Sequence, residues 1–225
     1  MSTAKLFKYR LLSHLPGAPG RKYANKYNVR GAQWQFMQAV RNSAGKVCID
    51  LGANMGEYTR MLASTAKKVY AFEPDPWTCE TLRTNLKDLD NVEIVEAAAS
   101  TSDGTVQLFR HPDFDKDPTF NSQSSSLIAT KSNISHDNAQ EVRQVDLLKF
   151  MRDLDTEISV LKIDIEGAEV DLLEALLDDT ELLKRIHHVF AETHETRIPG
   201  HEPRVAELRR RAYNIKKPNI NLYWE

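Results

Sequence analysis

The sequence predicts an α/β fold built on an open, doubly wound, mostly parallel sheet with helices on both faces. Three observations carry this expectation. From residue 46 onward short apolar runs alternate with helix-length amphipathic ones, the pattern of strands joined by crossover helices. The first apolar run, Val47-Cys48-Ile49-Asp50-Leu51, breaks into a glycine turn, Gly52-Ala53-Asn54-Met55-Gly56, that opens a helix. The second, Val69-Tyr70-Ala71-Phe72, ends in the acidic Glu73. Such sheets gather ligands beyond the carboxyl ends of their strands, where the strand order reverses.

The elements follow in order. Residues 1–29 read as a basic N-terminal extension and 30–225 as the folded domain. The stretch Leu6-Phe7-Lys8-Tyr9-Arg10-Leu11-Leu12 suits an amphipathic helix, lying on a membrane surface or packed on the domain. The segment Pro16-Gly17-Ala18-Pro19-Gly20 breaks it. A helix is expected over Arg30–Ala44, with Trp34, Met37 and Val40 on one face and Gly45 closing it. Strands are expected at Lys46–Leu51, Lys68–Phe72, Val92–Ala97, Val160–Asp164 and His188–Glu192. Helices are expected at Glu57–Ala66, Pro76–Leu89, Ala168–Leu177 and Pro203–Ala212, with Pro76 well placed as a first helical residue.

The stretch 100–158 departs from this rhythm. Thr105–Arg110 alternates like a strand after a Ser102-Asp103-Gly104 turn. The polar run Pro112–Asn138, carrying Asn121-Ser122-Gln123-Ser124-Ser125-Ser126, reads as an insertion near the active site. At the C-terminus, Tyr213–Glu225 reads as two short strands closing the sheet as a hairpin, with Leu222, Tyr223 and Trp224 in the core or at its rim.

Bulk properties exclude several classes. A chain of 225 residues, 41% hydrophobic and 28% charged, is one globular domain with a sizeable core. No run reaches the roughly eighteen apolar residues of a spanning helix, and no signal-peptide core is visible. Cys48 and Cys79 have neither metal nor disulfide spacing, so a cytoplasmic location is expected. Residues 1–49 hold nine Lys or Arg and no acid, which leaves the remainder at −11 within a total of −2. That asymmetry suits an anionic partner, or a basic arm folded on an acidic body.

The glycine turn narrows the ligand. Its spacing is G-x-x-x-G, not the G-x-G-x-x-G of a dinucleotide turn, and no phosphate-loop lysine follows. Asp50 beside such a turn would repel a pyrophosphate but suit a cation. Glu73 at the end of the next strand suits a ribose. The pattern favours S-adenosylmethionine, a sulfonium with an ammonium group, over NAD or ATP. The plainer alternative is a strand-turn-helix whose glycines only pack.

A second constellation lies in Leu161-Lys162-Ile163-Asp164-Ile165-Glu166-Gly167-Ala168-Glu169 and Phe190-Ala191-Glu192-Thr193-His194. Asp164, Glu166, Glu192 and His194 are expected together at the carboxyl edge, as a general base for a hydroxyl or as oxygen ligands for a hard cation. Against this, Glu166 could serve only the helix start and His194 could be a surface histidine. A metal-free base is favoured, because Lys162, the helix start and the cofactor would occupy Asp164 and Glu166. No metal ligand is therefore assigned. Lys162, inside an apolar strand, requires an acidic partner such as Glu192 or Asp164.

Val47–Thr59, Ala71-Phe72-Glu73-Pro74, Val145-Asp146-Leu147 and above all the Lys162-Ile163-Asp164-Ile165-Glu166-Gly167-Ala168-Glu169 block resemble the FkbM family of S-adenosylmethionine-dependent methyltransferases, over about residues 45–195. The resemblance implies a class I methyltransferase with a seven-stranded sheet whose last strand is antiparallel. It implies O-methylation of a sugar, glycoconjugate or related hydroxyl-bearing small molecule. By position it places Asp50, Gly52, Asn54, Gly56 and Glu73 on the cofactor. The adenine contact after the third strand falls in Ala97-Ala98-Ala99-Ser100, so Ser100 or backbone would make it. Two other readings stay open: a protein or nucleic-acid acceptor, prompted by the basic N-terminus, and an inactive cofactor-binding module.

Overall fold

The computed structural model describes residues 3–122, 125–129, 131, 134–135 and 137–224. Gln123 and Ser124 of the polar run, and Glu225, lie outside the described residues. Two helices open the chain, α1 (Thr3–Leu12) and α2 (Gly17–Arg41). The second runs through residues 29 and 30 without a break, so it carries the basic extension into the domain. Its core face is Ala32, Phe36, Ala39 and Val40, a near i, i+4, i+7 stripe. Trp34 and Met37, expected on that face, are 47% and 37% exposed. The residue that closes the helix is Asn42, and Gly45 lies in the turn beyond it.

The alternation then begins: β1 (Val47–Leu51), α3 (Glu57–Ala63), β2 (Lys68–Glu73), α4 (Pro76–Asn85) and β3 (Val92–Glu96). Next come β4 (Ala98–Ser100), β5 (Gly104–Phe109), α5 (Pro118–Asn121), β6 (Ala139–Asp146) and α6 (Leu147–Asp153). The chain finishes with β7 (Ile158–Ile163), α7 (Glu169–Asp178), α8 (Thr180–Lys184), β8 (Ile186–Ala191), α9 (His201–Asn214) and β9 (Asn219–Asn221).

The main sheet has the order β3-β2-β1-β7-β8-β9, and every neighbouring pair is parallel. This is the expected doubly wound architecture with six strands in place of seven. The last strand is parallel, not antiparallel, and Tyr213–Trp224 contributes one short strand instead of a hairpin. Helix α9 is the reason: a helical crossover returns the chain to the same end of the sheet, so the next strand enters in the same sense. The expected excursion builds a separate sheet, β4-β6-β5.

Strand alternation divides the core in two. Cys48, Val69, Val160 and Phe190 face α2 and α3, where Phe36 meets Phe190 and Trp224 edge-on or tilted at 5.3 and 5.4 Å. Ile49, Leu51, Leu161, Ile163 and Val189 face the apolar sides of α6, α7, α8 and α9. The central strand β1 pairs with β2 on one side and β7 on the other, so the chain winds outward in both directions from this point. The register sets Leu51 beside Phe72 and Ile163, which brings Gly52, Glu73 and Asp164 to one edge. No helix among the described residues is long and apolar enough to cross a membrane.

Candidate active site

Gly52 fixes how closely the two central loops approach. Its φ is +74°, and a Cβ there would fall 1.7 Å from the Asp164 carbonyl oxygen. Only glycine allows both the left-handed backbone and that contact. Asn54 and Glu166, at the turns after β1 and β7, also hold positive φ (47° and 54°) without being glycines. Such backbone is costly and persists where the surroundings over-determine it. Gly56 has φ +93°, and a Cβ on it would meet Leu82 Cδ1 at 2.8 Å. It starts α3 and lets α4 pack against the turn.

Glu73 ends β2 with both carboxylate oxygens engaged. Oε2 accepts from the Asn54 backbone N–H at 2.9 Å and Oε1 from that of Asp75 at 3.0 Å. Burial pushes this carboxyl up to about 7 in spite of the two N–H donors. Next along, Asp75 caps α4 by accepting from Trp77 and Thr78 N–H. The same carboxylate accepts from Arg110 Nε at 2.6 Å and from the guanidinium NH2 at 3.0 Å. Arg110 lies over the Phe114 ring at 4.3 Å. This charge-assisted fork ties the start of the excursion to the turn that holds Glu73. Ser122 Oγ then reaches Asn54 Oδ1 at 3.2 Å.

Below the turn lies a buried ion pair. Lys162 Nζ is 3.0 Å from Asp50 Oδ1, 3.8 Å from Asp164, and donates to the Gly52 carbonyl at 2.8 Å. Burial disfavours its charge, but Asp50 and then Asp164 outweigh that and hold the lysine above its ordinary value. Asp50 also accepts from Thr59 Oγ1 at 2.6 Å. The expected acidic partner of Lys162 is therefore chiefly Asp50.

Around His194 four carboxylates converge. Glu169 Oε1 accepts from the His194 backbone N–H at 2.8 Å and meets the ring Nδ1 at 3.0 Å, while Oε2 accepts from Gly167 N–H at 2.7 Å. Nε2 faces Glu166 at 3.3 Å, Glu192 at 3.4 Å and Asp164 at 3.8 Å. Burial opposes the imidazolium, yet Glu169 first, then Glu166 and Asp164, hold the ring up to about 9. Glu166 is paired in turn with the buried Lys131 at 2.7 Å and with Arg197 at 3.5 Å.

A cavity of about 530 Å³ joins the two constellations. Of the expected residues, Gly52, Asn54, Glu73, Asp164, Glu166 and Glu192 line it. His194 stands just behind, against three of those carboxylates. Asp50 lies beneath the floor, and neither Gly56 nor Ser100 is among the lining residues; the wall beyond β3 is Ala97, Ala98 and Ala99. Sequence reasoning missed Glu169, Lys131 and the Arg110–Asp75 fork. Glu169 had a signal, a carboxylate in the first turn of a helix with a wide apolar face; the other two had none in spacing.

The methyltransferase FkbM domain family matches residues 50–215. A probable ribosomal RNA small subunit methyltransferase A of Methanosarcina acetivorans is 29% identical over 108 residues, 43% of this chain and 38% of that one. Methyltransferase sdnD of Sordaria araneosa is 27% identical over 192 residues, 71% and 70% of the two chains. A crystal structure of methyltransferase FkbM from Methylobacillus flagellatus aligns at 19% identity and a TM-score of 0.36, covering 61% of this chain and 31% of that one. The chain spans less than two fifths of the length of the first curated relatives it matches.

The chain belongs to the FkbM methyltransferase family. Its cofactor is S-adenosylmethionine, and the donor set fits it. Glu73 offers carboxylate lone pairs for ribose hydroxyls, Pro74, Ala97 and Leu108 offer an apolar wall for a base, and Asp164 offers charge for a cation.

Proposed function

We propose that this chain methylates a hydroxyl oxygen of a sugar, glycoconjugate or related small molecule, acting in the cytoplasm. The supporting observation is that one cavity holds both a ribose-type carboxylate, Glu73, and the carboxylate edge Asp164–Glu166–Glu192. The cofactor supplies a methyl group bonded to a sulfonium, which leaves as a thioether. Gly52, Asn54 and Glu73 hold it at the β1 and β2 edge. The β7 and β8 edge receives the acceptor. A hydroxyl is a weak nucleophile until its proton is drawn off, and a positioned base contributes about 10²–10⁴-fold. A neighbouring carboxylate takes the proton, while the His194 ring, anchored on Glu169, fixes the carboxylates in place. Holding acceptor and cofactor in line supplies much of the remainder.

A second reading, a nucleic-acid or protein acceptor, is favoured by one observation: the nine cations in residues 1–49 with no acid among them. On either reading this stretch contacts an anionic surface or acceptor. Transfer of labelled methyl from S-adenosylmethionine to a panel of sugars, nucleotide sugars, RNA and protein separates the two. Turnover only with RNA or protein overturns the small-molecule reading.

A further inference from the structure

Asp164 ends β7, while Glu192 and His194 follow β8, so adjacent parallel strands deliver all three to one edge. One donor atom from each lies within 4.8 Å of the others. Ligands at about 2.0–2.6 Å from a divalent ion stand roughly 3 Å apart when adjacent and 4–5 Å when opposite. The trio therefore fits one coordination sphere with little movement.

The imidazole is an independent sign. His194 is only 4% exposed, and its Nδ1 is anchored on Glu169, which is itself fully buried. Its Nε2 is turned to Glu166 at 3.3 Å, Glu192 at 3.4 Å and Asp164 at 3.8 Å, so the ring already faces the carboxylates that would share an ion with it. A buried carboxylate that fixes one ring nitrogen and turns the other towards oxygen ligands is the usual support of a metal-bound histidine. Asp164 is not consumed by Lys162, which sits nearer Asp50 at 3.0 Å than Asp164 at 3.8 Å. That removes part of the ground for a metal-free edge.

We propose that Asp164, Glu192 and His194 bind one divalent cation of the manganese or magnesium type, with the acceptor's hydroxyl oxygen entering its open positions. The inference rests on the hydroxyl-methylation reading and adds how that hydroxyl is activated. Two carboxylates and one imidazole form a mostly oxygen donor set, which suits these ions over thiolate-seeking ones. Three protein ligands leave coordination positions for the acceptor. The ion takes the place of a proton at Nε2 and acidifies the bound hydroxyl as a Lewis acid. The O–H bond breaks, its proton passes to a nearby carboxylate or to water, and the oxygen's electron pair forms the new bond to the methyl carbon as the carbon–sulfur bond breaks and the neutral thioether departs with that bond's electrons. Glu166, already engaged by Lys131 and Arg197, stays outside the sphere.

Manganese titration of the full chain, read by electron paramagnetic resonance of free Mn²⁺, tests this. S-adenosylhomocysteine affinity is measured on the same samples by calorimetry. One saturable Mn²⁺ site per chain is expected, weakened at least tenfold in both Glu192→Gln and His194→Gln, with the nucleoside still bound. The absence of saturable Mn²⁺ binding, or equal binding in both variants, overturns the metal site. Nucleoside binding retained alongside that result leaves the methyltransferase reading standing. Metal bound without the nucleoside would overturn that reading instead.

Discussion

Replacing Glu73 by Gln should stabilise the free protein at alkaline pH and weaken its hold on the cofactor. The carboxyl is raised by burial from its ordinary 4.5 to about 7, so the folded state binds its proton more tightly than the unfolded chain does. Stability contributed by this proton is complete below about pH 4.5 and is lost as the pH climbs through about 7. At about 1.4 kcal/mol per tenfold in proton affinity, the rise from 4.5 to about 7 amounts to about 3 kcal/mol lost by pH 8. Gln carries no charge and escapes this loss. It also turns an amide NH2 towards one of the two backbone N–H donors, from Asn54 or Asp75, which costs about 1–3 kcal/mol at every pH. The difference between variant and parent should therefore move about 2–3 kcal/mol in the variant's favour between pH 5 and pH 8. Urea unfolding at four pH values measures it. Calorimetry at pH 7.5 should show cofactor affinity at least tenfold weaker, because the ribose loses an ionised acceptor. Parallel pH profiles would refute the buried titration, and unchanged affinity would refute the ribose role.

Three further outcomes follow from neighbouring groups. Lys162→Met leaves Asp50 buried without its cation and should cost about 3–5 kcal/mol in denaturant unfolding; adding Asp50→Asn should recover part of it, and strict additivity would contradict the pairing. Gly52→Ala forces a Cβ onto the Asp164 carbonyl and should lower stability by about 1–3 kcal/mol, together with cofactor affinity; a neutral result would show that the two loops yield freely. The basic N-terminal stretch should retain the protein on vesicles containing phosphatidylserine in low salt and release it at 0.5 M NaCl, since a Debye length of about 8 Å at physiological strength shortens further. Equal retention on neutral vesicles would remove the electrostatic contact.

Much of the site was legible because strand ends announce themselves. Val47–Leu51 and Leu161–Ile163 are apolar runs that stop at glycine or carboxylate, and a parallel sheet must deliver such stops to one edge. The lysine inside the second run was equally telling, since a buried ammonium demands a carboxylate. What stayed hidden depends on contacts far apart in sequence. The Arg110–Asp75 fork spans 35 residues and Lys131–Glu166 spans the same separation, with no periodicity to mark either. The core face of α2 was misread for another reason. Trp34 and Met37 are large and apolar, but Ala32, Phe36, Ala39 and the expected Val40 form the stripe that fits against β7 and β8, and fit decided the rotation of the helix. The strand count fell short of seven because β4 and β5, the strands after Ala97, both pair with β6 instead of extending the main sheet.

The proposed function requires a nucleoside pocket for S-adenosylmethionine at the edge joining β1, β2 and β7. Calorimetric titration of the chain with S-adenosylhomocysteine and with NAD, repeated on Glu73→Ala, is the test. One saturable S-adenosylhomocysteine site per chain is expected, with no NAD binding and a loss of about 1–3 kcal/mol in the variant. No binding by the parent protein, or equal binding by parent and variant, would contradict it.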